Sequence, residues 1–237
     1  MTIEFKHVTC ESKILNPTDS FHPENQVLES RWDPLTGWKQ IFNSKLSEKI
    51  RMESPAVGEK IIEEVAARSK ANCVFCPQNV EKMTPKFPPE ILPQGRLRYG
   101  ESWVIPNLFS AYEFSAVVIL TDKHFLKLDE FSPHIFTGAL NISLDFIKRV
   151  YGARSECKHA VMGMGYLPTS GSSIIHPHFQ LYLSRIPFHY LDYVLKRSDK
   201  YFEQNSANYW KELVDVEKEA GERYVGRTGN VEWLATF

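Results

Sequence analysis

From residue 172 to residue 184 the chain reads SSIIHPHFQLYLS. If residues 178–184 are extended, His178, Gln180, Tyr182 and Ser184 share one face, while Phe179, Leu181 and Leu183 share the other. The apolar face can pack on a helix, which leaves an imidazole and an amide for chemistry or for water. Immediately before this run, Thr169–Ser173 (TSGSS) is a loop of small residues whose N–H and hydroxyl groups could approach a phosphate closely. An imidazole nucleophile beside a phosphate cradle is what nucleotidyl transfer through a phosphohistidine requires. Gln180 does not titrate, so it can hydrogen-bond a phosphoryl oxygen in ground state and intermediate alike. A half-buried strand carrying satisfied histidines fits the same spacing.

A second constellation is Cys73-Val-Phe-Cys76. Zinc takes about four soft or borderline ligands in a tetrahedron, commonly two from such a Cys-x2-Cys turn and two from elsewhere in the fold. The other half must come from the 8 histidines. His124 follows an apolar strand and His176 sits at the mouth of another, so a metal at both strand ends could staple the sheet edge to the cysteine loop. Two buried thiols without a metal are the alternative. Cys10 and Cys157 stand alone in the sequence.

These residues must be held by a folded scaffold, and the composition allows one. The 237 residues are 43% hydrophobic and 24% charged, which suits one large or two small globular domains. Lys plus Arg is 28 against Asp plus Glu at 29, so no basic excess argues for a nucleic-acid polymer as partner, and a phosphate ligand must be held locally. The N-terminus lacks the apolar core of a signal peptide, and no stretch approaches the roughly 18 apolar residues that cross a bilayer. A soluble, cytoplasmic protein without a membrane partner is expected.

Residues 1–30 are polar with little periodicity and predict an arm or loop with one strand near residues 3–8. Arg31–Gly37 (RWDPLTG) is a turn sequence, followed by a short strand over 38–42. Helical spacing predicts an amphipathic helix over 56–70, then a proline-rich excursion over 77–95. Strands are expected at 98–105, 115–120, 159–166 and 178–184. Ser132-Pro133 starts a helix whose apolar residues recur through Val150, with Gly152 ending it. Residues 189–220 predict one or two solvated helices, and 230–237 a strand.

Taken together, HPHFQ (176–180), SGSS (170–173), CVFC (73–76) and RWDPLTG (31–37) resemble galactose-1-phosphate uridylyltransferase, the His-Pro-His-x-Gln branch of the histidine triad superfamily. PNLFSA (106–111) and EWLATF (232–237) fall in the family's order, so the resemblance covers residues 30–237. It implies an α+β fold: a histidine-triad-like, mostly antiparallel sheet (half-barrel) with helices packed on one face. It divides the chain into an N-terminal arm (1–30), a nucleotidyltransferase domain (31–229) and the start of a second half-domain (230–237).

The resemblance further implies that His178 attacks the α-phosphorus of a nucleotide sugar, forming a nucleotidyl-histidine and releasing a sugar 1-phosphate. A second sugar 1-phosphate then takes the nucleotide in a ping-pong cycle. Gln180 matches the holder of the phosphoryl oxygens, and Gly171 and Ser173 match contacts to the phosphates. Asn107 matches a residue of the uridine pocket, and Cys73, Cys76, His124 and His176 match the ligands of a structural zinc. A role in galactose metabolism and a homodimer are implied too. A related phosphorylase or hydrolase acting on ADP-sugar or a dinucleoside polyphosphate, and a zinc-stabilised binding module without turnover, are the alternatives.

Three departures from the family stand out. Its arginine-bearing loop after the PLTG turn is replaced by Asn43–Arg51, which places Leu46 and Lys49 where arginines belong. The asparagine that contacts the transferred phosphoryl aligns with Gly165. The sequence ends where the second half-domain would begin.

Overall fold

The computed structural model describes residues 3–46 and 59–237, in two compact units. One unit comprises residues 56–188, the other residues 1–55 together with 189–237. Every strand pairing among the described residues is antiparallel.

The unit that carries the candidate site is built on a five-stranded sheet. Its strands are β4 (Leu97–Tyr99), β5 (Ser102–Pro106), β6 (Phe114–Ile119), β7 (His159–Gly163) and β8 (His178–Ser184), in the order β4-β5-β6-β8-β7. The strand expected over 98–105 is instead a hairpin. Gly100 adopts φ 58°, a left-handed conformation that costs glycine nothing, and Tyr99 thereby comes to pair with Ser102.

Strand β6 (FSAVVI) lies at the centre because it is buried on both faces from Ser115 to Ile119. Val104, Ala116, Val118, Leu181 and Leu183 point to one side of the sheet, where they meet Ala139, Ile142, Phe146 and Val150. Those four belong to α3 (Pro133–Ala153), whose first residue is the expected proline and which runs on through Gly152. The proline-rich segment covers the same side: Phe87 packs on Phe146 with ring centroids 4.7 Å apart.

The opposite face of the sheet presents Trp103, Ile105, Val117 and Ile119 to the cysteine loop. This loop joins α1 (Glu59–Lys70) to α2 (Pro77–Met83), and Val80 of α2 completes the cluster. The helix expected over 56–70 is found from Glu59 onward; its first residues lie outside the described ones.

The other unit departs most from expectation. The segment read as an arm with one strand near residues 3–8 contains β1 (His7–Asn16) and β2 (His22–Trp32), paired from His7↔Arg31 to Asn16↔His22, with β3 (Lys39–Asn43) alongside β2. Most β1 side chains are exposed, so neither face leaves an apolar alternation in the sequence. In the RWDPLTG turn, the Asp33 carboxylate accepts from the N–H groups of Leu35 (3.1 Å) and Thr36 (2.7 Å) and from the Thr36 hydroxyl (2.7 Å). The turn docks on α4 (His189–Asn205), where Tyr193 donates to the Thr36 carbonyl at 2.7 Å.

A separate helix, α5 (Tyr209–Ala220), starts at Asn208, whose side chain accepts from the Lys211 N–H. The strand expected at the end is β10 (Val231–Leu234), which pairs with an unforeseen β9 (Tyr224–Thr228). Among the described residues, no helix is long and apolar enough to cross a membrane. Of the altered loop 43–51, residues 47–51 lie outside the described ones; Leu46 is exposed.

Candidate active site and metal centre

Two strand ends and the cysteine loop bring Cys73, Cys76, His124 and His176 together, all buried, with their ligand atoms within 4.8 Å of one another. The Cys76 sulfur lies 3.4 Å from Nδ1 of His124 and 3.7 Å from Nδ1 of His176, which is also 3.7 Å from the Cys73 sulfur. A tetrahedral zinc with bonds of about 2.0–2.3 Å holds its ligands roughly 3.3–3.8 Å apart, and these three spacings match that range.

The far nitrogens fix the tautomers. Nε2 of His176 faces the Thr121 carbonyl at 2.7 Å, and Nε2 of His124 faces the Ala66 carbonyl at 3.1 Å and the Ser69 hydroxyl at 3.0 Å. A carbonyl can only accept, so each ring carries its hydrogen on Nε2 and turns the Nδ1 lone pair inward, as a metal ligand must. Burial lowers His124 below its ordinary value and carries His176 down to about 4, which keeps both rings neutral. Burial, with Cys73 adjoining, pushes the Cys76 thiol up to about 11. Cys76 therefore holds a thiol that a cation would convert to a thiolate.

Two residues past His176, His178 is buried and its Nδ1 lies 2.7 Å from the His176 carbonyl oxygen. That contact places the hydrogen on Nδ1 and the lone pair on Nε2. Burial lowers its pKa as well, so the neutral form prevails at pH 7. The Phe75 ring stands edge-on to both imidazoles, with centroids 6.2 Å from His176 and 5.2 Å from His178. Phe75 was not singled out by its position between the cysteines, although a large apolar residue inside a metal knuckle signals packing on the nearby sheet.

His178 and Gln180 line two cavities. One, of about 220 Å³, is walled by Phe75, Ile105, Asn107, Phe109 and Ser173. The other, of about 320 Å³, is walled by Gly163, Gly165, Ser170, Gly171 and Tyr182. Gly163 is the cross-strand partner of Gln180, and an added Cβ there would meet nothing within 4 Å, so the space beside the amide is open. Asn107 uses its side-chain oxygen to accept from the Phe109 N–H at 3.2 Å, which leaves its amide hydrogens for the cavity.

The loop of small residues behaves differently from expectation. Its N–H groups at Ser170, Gly171 and Ser172 donate to the carbonyls of Leu167, Pro168 and Leu167, and the hydroxyls of Ser170 and Ser172 donate to the carbonyls of Leu167 and Ile174. The phosphate donors read from the sequence are therefore engaged within the loop, while Ser173 is exposed at the cavity edge. The same loop explains Gly165. A Cβ there would stand 3.2 Å from the Ser170 carbonyl oxygen and 3.3 Å from the Ser172 nitrogen, so any side chain at this position requires the loop to yield by a few tenths of an ångström.

No protein-family model matches this sequence. An uncharacterized protein of Archaeoglobus fulgidus is 35% identical over 216 residues, spanning 90% of this chain and 61% of that protein. Two solved structures share the architecture at low identity. An ADP-glucose phosphorylase from Arabidopsis thaliana with bound ADP-glucose matches with a TM-score of 0.51 and 18% identity, over 84% of this chain and 60% of its own. A uridylyltransferase matches with a TM-score of 0.52 and 15% identity, over 86% and 60%. The chain thus spans about three fifths of the length of these proteins. The expected α+β, histidine-triad-like fold of mostly antiparallel strands is the fold it has.

Proposed function

We propose that the chain is a nucleotidyltransferase of the galactose-1-phosphate uridylyltransferase family. In this reading it moves a nucleoside monophosphate, UMP by preference, from a nucleoside-diphosphate sugar to a hexose 1-phosphate in a ping-pong cycle. The observation that carries it is one ring: His178 is tethered through Nδ1 to the His176 carbonyl, which leaves the lone pair on Nε2, and it lines two cavities together with Gln180.

The Nε2 lone pair attacks the α-phosphorus; an N–P bond forms as the P–O bond to the sugar 1-phosphate breaks. The electron pair leaves on a phosphate oxygen, which is stable as an anion and needs no proton from the protein. A phosphate oxygen of the acceptor then attacks the same phosphorus, and the N–P bond breaks to restore the imidazole. Gln180 donates from its amide to the phosphoryl oxygens in both steps, which favours the charge that builds there. The nucleoside is assigned to the cavity of Asn107 and Phe75, and the leaving and accepting groups to the cavity of Gly163 and Gly171. Cys73, Cys76, His124 and His176 would hold zinc, which supplies structural cross-linking of the cysteine loop to the two strand ends.

The test is incubation with UDP-glucose, ADP-glucose and a dinucleoside polyphosphate, each labelled at the α-phosphorus, scoring acid-labile label on the protein. Label from UDP-glucose that His178→Ala abolishes supports the proposal. No label in the wild type, or label retained in His178→Ala, defeats it. Discharge of the labelled protein by galactose 1-phosphate, inorganic phosphate or water alone separates a transferase from a phosphorylase or a hydrolase.

A further inference from the structure

The residue two places beyond Gln180 on the same face of β8 is Tyr182, half-buried in the wall of the cavity assigned to the leaving group. Its hydroxyl donates to Oε1 of Gln180. Its ring is held from behind by Tyr112, with centroids 5.2 Å apart, and Tyr112 is braced in turn by Phe188 at 4.9 Å. A primary amide has two ends of opposite polarity and nearly equal shape, and only the NH2 end can donate to a phosphoryl oxygen. Turned over, Gln180 would aim a carbonyl oxygen at an anion.

We propose that Tyr182 is a positioning residue that sets the polarity of the Gln180 amide, holding Oε1 so that the NH2 group faces the transferred phosphoryl. This rests on the function proposed above. Three features support it. The phenol and amide occur at alternate positions of one strand, so backbone geometry places them side by side. Cross-strand from Gln180 stands Gly163, which offers no side chain to hold the amide from that direction. Burial, with Tyr112 alongside, raises the Tyr182 pKa, so the hydroxyl keeps the proton it donates.

The test compares wild type, Tyr182→Phe, Gln180→Ala and the double variant in single-turnover labelling with UDP-glucose and ADP-glucose, and with the separated diastereomers of their α-phosphorothioates. A net hydrogen bond of this kind corresponds to about a tenfold effect, so Tyr182→Phe should label about tenfold more slowly with donor affinity changed less than about threefold. Its preference between the two thio-diastereomers should shrink toward the value of Gln180→Ala, and the double variant should be no slower than Gln180→Ala. A phenol that serves only to pack the strand would leave the diastereomer ratio unmoved.

Tyr182→Phe with the wild-type rate and ratio, beside a slow Gln180→Ala, would overturn this proposal and leave the nucleotidyl-histidine standing. A further loss in the double variant would do the same. A wild type that takes no label overturns both. If Tyr182→Phe melts well below the wild type, Tyr182→Leu is judged on the same diastereomer ratio.

Discussion

Nδ1 of His178 stands 2.7 Å from the main-chain oxygen of His176, so the imidazole assigned to chemistry is oriented by the backbone of the residue assigned to the metal. Many catalytic histidines are oriented by a carboxylate, which also stabilises the charged ring. Here the orienting group is neutral, and the reaction proposed needs a neutral nucleophile. A carbonyl fixes the tautomer without favouring protonation as strongly as an anion would.

That arrangement predicts a pH profile. Burial lowers the His178 pKa below its ordinary 6.5, so the reactive neutral form persists as pH falls and is lost only below that value. The rate of labelling should be flat from pH 8 to about pH 6.5 and decline at lower pH. A decline centred above pH 7 in single-turnover measurements would contradict it.

The metal centre predicts a proton balance. In the metal-free protein Cys76 holds its proton to about pH 11, so zinc binding at pH 7 must release at least that proton. Titration in weak buffer with an indicator dye should show acid release alongside about one zinc per chain. Affinity for the ion should fall as pH is lowered. Cys76→Ser should lose the ion and melt roughly 6–12 °C lower, as a loss of about 3 kcal/mol implies for a chain of this size. An unchanged melting point in protein that holds no zinc would refute a structural role.

Gly165 predicts a graded series. Its Cβ position lies 3.2–3.3 Å from atoms of Ser170 and Ser172, so Gly165→Ala should cost about 1 kcal/mol, and Gly165→Asn about 2 kcal/mol or more. Because the displaced loop lines the cavity beside His178, labelling should fall further in the asparagine variant than in the alanine one. Melting curves and labelling rates measured side by side check both halves.

The fold makes its own prediction. Phe146 is fully buried on the sheet face opposite the site and packs on Phe87. Phe146→Ala should cost about 3–5 kcal/mol in denaturant unfolding. Where the variant remains folded, the distances around His178 are set by the other face of the sheet, and labelling per folded molecule should stay close to the wild type.

Local chemistry explains what the sequence revealed. The alternation over 178–184 and the apolar run at 115–120 signal a two-sided sheet, and Ser132-Pro133 signals a helix start; all three elements are present. The cysteine pair showed half of a metal set, and the histidines that complete it are brought there by strand pairing far apart in sequence. The register Ile119↔His178 brings the end of β6, and with it His124, to the mouth of β8. The places of His124 and His176 at two strand ends point to this pair in the sequence, while their closeness comes from the register. The β1–β2 hairpin leaves no apolar alternation because β1 is mostly exposed and β2 mixes polar and apolar residues on both faces, and composition does not tell which N–H groups of the loop at 170–172 a turn consumes internally.

Phe75 lies between Cys73 and Cys76 in the chain and against His176 and His178 in space. The loop proposed to hold zinc therefore also carries a wall of the ring proposed to react. A cell starved of zinc would accumulate chains whose sheet survives while this wall drifts. Protein abundance and turnover would part company, and resupply of the ion, without new synthesis, should bring them back together.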